Sequence, residues 1–132
     1  MPVQVTANEP DNEAIVARFL AVWTPHLLLL DDEARVAHEW VGYLPPTLYL
    51  AELQYACAML RVRQRRFDEA AEIFERVRDD HPRSQVADAA AYWAAVARYQ
   101  ESGQADGLQK GWDILRSRYP TSIWRTKVTM YE

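Results

Sequence analysis

Two stretches, FERVRDDHPRSQV (74–86) and WDILRSRYPTSIW (112–124), align at an offset of 38 residues. Phe74 falls on Trp112, Val77 on Leu115, Pro82 on Pro120, Ser84 on Ser122 and Val86 on Trp124. Each copy reads as an amphipathic helix followed by a proline break. One helix pair cannot bury its own apolar side, but stacked pairs cover one another. With 132 residues, the chain has room for one domain, or for two small modules that must share a core or find a partner. Its composition, 49% hydrophobic and 26% charged, is globular.

Apolar spacing extends this helical reading over the second half of the chain. After Pro45 and Pro46, which suit a helix start, Leu50, Leu53, Ala56, Cys57 and Leu60 follow helical spacing. Phe67, Ala70, Ala71, Phe74 and Val77 predict a helix over 67–80. A third helix spans about 85–101, with Ser84 as its cap, and its many alanines imply neighbours on more than one side. SGQADG breaks the chain before helices at 108–119 and 123–131.

The first 45 residues have a different period. VQVTA (3–7) alternates like a strand, and Ile15, Val16, Phe19 and Leu20 mark one face of a short helix over 12–20. HLLLL (26–30) is a continuous apolar run, as a buried strand requires, and DDEA (31–34) is a turn. RVAHEWVGY (35–43) is a second strand with Val36, His38 and Trp40 on one side, so the two strands form an antiparallel hairpin. The expected class is α+β, mostly α.

The helical part resembles the tetratricopeptide repeat family over roughly 50–120. Ala58, Ala70, Phe74 and Pro82 match its small residue, alanine, aromatic and proline in the first unit. Ala95, Trp112 and Pro120 match in the second, where Leu108 replaces the alanine and the unit is longer around 101–107. The resemblance implies helices that bind a peptide or another protein on a concave face. Gln54, Arg61, Tyr92, Arg98 and Tyr99 are the candidates to line it.

The order strand, helix, Trp-Thr-Pro, strand, turn, strand, glycine, helix resembles the C-terminal half of a thioredoxin-like fold over about 1–60. Pro25, in WTPHLLLLD, takes the place of that family's cis proline, and Gly42 that of the glycine after its last strand. Trp23, Thr24 and Pro25 would then border a substrate groove. The expected units are a truncated thioredoxin-like segment over 1–46 and helical repeats over 47–132, welded by a shared helix at about 47–64. The family's dithiol motif has no counterpart, because Cys57 is the only cysteine and lies on a helix after the sheet. The strand that would pair with HLLLL is missing too. Either VQVTA fills the vacancy, or a second copy covers Leu27, Leu28, Leu29, Leu30 and Trp40 in a homodimer.

Residues 1–60 hold eight acids and two bases, net −6, whereas residues 61–132 hold eleven acids and thirteen bases, net +2. The arginines of RVRQRRF sit beside acids and read as a solvated helix end, so no nucleic-acid partner is expected. HLLLL is too short to span a membrane. His26 and His38 would come close if Leu28 paired with Val36–His38, but they read as ordinary structural histidines, and no metal or cofactor is assigned. No phosphate loop or hydrolase elbow is present. The expectation is a non-catalytic, self-associating interaction or assembly module in the cytoplasm, or in the periplasm if a signal precedes Met1. The alternative is a fragment or degenerate relative of a thiol-disulfide oxidoreductase.

Overall fold

The computed structural model describes residues 1–131. A 3-10 turn (Pro10–Asn12) leads into helix α1 (Glu13–Arg18), followed by strands β1 (His26–Leu30) and β2 (Val36–Val41). Helices α2 (Pro46–Arg63), α3 (Phe67–Asp80), α4 (Ala87–Ser102), α5 (Ala105–Arg118) and α6 (Ile123–Lys127) follow, and then a 3-10 turn (Thr129–Tyr131). The architecture is a small antiparallel hairpin followed by packed helices.

The hairpin pairs His26 with Val41, Leu27 with Trp40, Leu28 with Glu39, Leu29 with His38 and Leu30 with Val36. The register shifts between Leu29 and Leu30. Asp31 shapes the turn: its Oδ1 accepts the N–H groups of Glu33 and Arg35, both at 2.9 Å, and Oδ2 meets Arg35 Nε at 2.7 Å. The backbone bond from Arg35 holds the Asp31 carboxyl below its ordinary value, more than desolvation raises it. At the open end, the Thr24–Pro25 peptide is cis, and the Gly42 N–H donates to the Pro25 carbonyl at 2.8 Å. Gly42 has φ +97°, a conformation that glycine adopts without steric cost.

Helices α2 to α5 pack as successive neighbours. One cluster joins Ala51, Tyr55 and Ala58 of α2 to Ala70, Ala71, Phe74 and Val77 of α3 and to Ala90, Ala94 and Ala97 of α4. The opposite side of α4 gives Ala91 and Ala95 to a second cluster with Trp112, Leu115 and Val128. Thus α4 is buried on two sides, as its alanines imply. The residues at the 38-residue offset do matching work, since Phe74 and Val77 fill the first cluster and Trp112 and Leu115 the second. A methyl group at Gly111 would lie 2.2 Å from Ala95 Cβ, so α4 and α5 approach too closely there for a side chain.

Several expectations need correction. Residues 3–6 form no strand, and Val3 is 75% exposed. VQVTA therefore does not fill the place beside β1: the Thr6 carbonyl is engaged by Glu9 and Asn12 in the turn that leads to α1, and the sheet keeps two strands. The first helix is confined to Glu13–Arg18 by the 3-10 turn before it and by Leu20 at φ +51° after it. Ser84 is not the cap of α4: that helix starts after Val86, and Ser84 lies in a turn with its hydroxyl buried and unpartnered. Helix α5 begins at Ala105, three residues earlier than predicted, and so takes in half of the SGQADG break. The last helix stops at Lys127 before the 3-10 turn.

Candidate functional site

Alternation along the hairpin sets its two faces. His38 and Trp40 point to α2, where Trp40 meets the Tyr49 ring at 5.7 Å and His38 meets the Tyr55 ring at 5.1 Å. Leu27 and Leu29, as their cross-strand partners, share that face. The other face carries His26, Leu28 and Glu39, with His26 Nε2 and Glu39 Oε2 2.7 Å apart. His26 and His38 are therefore on opposite faces, each with its own glutamate. Leu28 pairs with Glu39 and not with Val36–His38, so the histidines are not brought together. No group of three or more metal-ligating side chains occurs among the described residues.

A buried carboxylate joins the hairpin to the helices. Glu52, the only acid of α2, is 6% exposed. His38 Nε2 donates to its Oε1 at 2.7 Å, and Gln85 Nε2 donates to its Oε2 at 2.6 Å. Gln85 also reaches the Leu48 carbonyl at 3.2 Å. Burial pushes the Glu52 carboxyl up, but the bonds from His38 and Gln85 and the nearby His38 charge outweigh it and bring it below its ordinary value. Burial pushes the neighbouring Tyr55 phenol well up, and the Glu52 charge adds to this. One ionised group thus ties together β2, α2 and the link between α3 and α4. The sequence signal for it was a lone acid among apolar helix positions, but its partners are distant in the chain.

The residues expected to line a groove are not gathered into one. Trp23, Thr24 and Pro25 are exposed ahead of β1, with Trp23 70% exposed. Gln54 is half-buried on α2, and its side-chain oxygen is buried without a partner. Arg61 is engaged by Gln64 at 2.8 Å and Glu69 at 3.2 Å. Tyr92 stacks on Trp112 at 5.4 Å and touches Trp124 at 5.0 Å, between α4, α5 and α6. Arg98 points the other way: its guanidinium grips Glu75 at 3.0 and 2.8 Å and Asp68 at 2.6 Å, bracing α4 against α3. Tyr99 is exposed at the end of α4. A shallow groove of about 390 Å³ lies between α3, α4 and α5, lined in part by Glu75, Arg78, Arg98 and Lys110. Of the candidates, it includes only Arg98.

The self-association candidates do lie together. Leu27, Leu28, Leu29 and Leu30 are all half-buried in β1, and Trp40 lies across from Leu27. Exposed Leu20, Val22 and Trp23 lead into the strand, and exposed Val41 and Tyr43 leave its partner. Among the described helices and strands, the backbone of α1 comes close to that of the 3-10 turn before it and of no other. Cys57 is a half-buried thiol on α2. No helix among the described residues is long and apolar enough to cross a membrane. No family model matches the chain, and neither a curated protein nor a solved structure matches it.

Proposed function

We propose that this chain is a non-catalytic interaction module that self-associates, using the hairpin and the segment leading into it as its surface and the stacked helices as rigid support. One observation carries the reading: no residue ahead of Ala51 is fully buried, although this stretch contains the four leucines of β1, Trp23 and Trp40. Contiguous apolar surface on a folded protein marks a place where something docks. The reading also draws on the resemblance of residues 1–46 to a truncated thioredoxin-like segment and of residues 47–132 to tetratricopeptide-like repeats. Dithiol exchange within this chain is disfavoured, because Cys57 has no second cysteine to pair with.

Sedimentation velocity at micromolar concentration tests the proposal. The expected result is a dimer that Leu28→Lys converts to a monomer with unchanged helical circular dichroism. A clean monomer of the unmodified chain overturns it.

A further inference from the structure

We infer that two copies join edge to edge, strand β1 against strand β1 in antiparallel order about a two-fold axis at Leu28, to form one four-stranded sheet. This inference rests on the self-association proposed above and specifies its geometry.

The register follows from backbone parity. In an antiparallel pair, facing residues alternate between those that exchange both backbone hydrogen bonds and those whose N–H and C=O groups point away. The bond from the Gly42 N–H to the Pro25 carbonyl identifies positions 25 and 42 as a bonded pair. Stepping by two, Leu27 with Trp40 and Leu29 with His38 are bonded pairs as well. His26, Leu28 and Leu30 therefore turn their backbone groups to the free edge of β1. If Leu28 faces Leu28 of the second copy, His26 faces Leu30 and Leu30 faces His26, so each exposed group meets a complement. Shifting the two-fold axis to Leu27 or Leu29 leaves only two bonded pairs.

The two edges of the hairpin are not equivalent. The outer edge of β2 is interrupted by the register shift near its start and carries Glu39, which is 53% exposed at its side chain. A bulge and a charge are devices that discourage strand addition. β1 has neither along its central leucines. Helix α2 packs mainly on β2, so Leu27 and Leu29 keep part of their area open at the β1 edge. A five-residue edge covers less than the roughly 800 Å² per partner of a standard interface. Exposed Leu20, Val22 and Trp23, which precede β1 in the chain, offer further apolar area that a second copy would have to cover to meet that shortfall.

The test places single cysteines in a Cys57→Ser background. Facing residues of a bonded pair have Cα atoms about 5.5 Å apart, within disulfide reach. Leu28→Cys should cross-link to itself on mild oxidation at least about tenfold faster than Leu30→Cys, whose copies lie beyond the reach of a disulfide. In the unmodified protein, amide exchange at Leu28 and Leu30 should slow with rising concentration, while Leu27 and Leu29 are protected throughout. A dimer in which Leu30→Cys cross-links as fast as Leu28→Cys, or whose Leu28 amide exchange is independent of concentration, overturns this register but leaves self-association standing. A monomer by sedimentation overturns both.

Discussion

The stacked helices and the segment ahead of them handle apolar residues in opposite ways. From Ala51 onward the helices close their clusters on themselves, and Phe74, Val77 and Leu115 have no exposed surface. Ahead of Ala51 no apolar residue is fully covered, and the hairpin leans on α2 through the Trp40–Tyr49 and His38–Tyr55 ring contacts and the Glu52 hydrogen bonds. The helices thus carry the closed core, while the hairpin is held in place without being enclosed. If the proposed self-association holds, such a fixed but uncovered region would leave little ordering to be done on binding.

Substitutions can break this contrast. The largest effect is expected in the first cluster, where Phe74→Ala should cost about 3–5 kcal/mol of unfolding free energy in a urea titration. Trp23→Ala at concentrations low enough to keep the chain monomeric should stay within about 0.5 kcal/mol of the native protein. A comparable loss at both positions would mean that the leading segment belongs to the core after all.

Glu52 sharpens the contrast at the junction. Glu52→Gln should cost about 1–3 kcal/mol at neutral pH, since His38 loses its charged acceptor. Because the folded carboxyl titrates below its ordinary 4.5, its contribution is complete above that value and disappears as pH falls through the lower folded one. Urea titrations should therefore show the gap between the native chain and Glu52→Gln closing in acid. A gap that does not narrow at all as the pH falls below the ordinary carboxylate range would assign the effect to packing instead. The smallest change is expected at Arg98. Its pairs with Glu75 and Asp68 are partly solvated, so Arg98→Ala should cost about 0.2–1 kcal/mol, less at high salt.

Much of the architecture was legible because it follows local periodicity. The spacing of Phe67, Ala70, Ala71, Phe74 and Val77 marks a helix over 67–80, the span that α3 occupies, and the alternation of His38 and Trp40 marks the face of β2 that meets α2. Errors arose where a residue's local preference was overridden by a distant neighbour. Gly107, the end of SGQADG, reads as part of a break, yet it lies within α5, where a methyl group would come 3.2 Å from Arg98 Cβ. Ser84 suits a helix cap, but the chain turns there and α4 begins later. VQVTA alternates like a strand, but alternation does not supply a strand to pair with. The partners of Glu52 could not be read from its place in α2, because Gln85 lies 33 positions along the chain and only the packing of α2 against the next link brings it near. The same holds for Arg98, whose acidic partners Glu75 and Asp68 lie 23 and 30 positions away in the chain and brace α4 against α3.

The shared carboxylate has a kinetic corollary. His38 and Gln85 both lean on Glu52, so lifting the hairpin strips a buried anion of one donor while the other stays behind. Because one carboxylate serves both contacts, loosening the hairpin weakens the hold on the α3–α4 link, and the two are expected to detach cooperatively rather than independently.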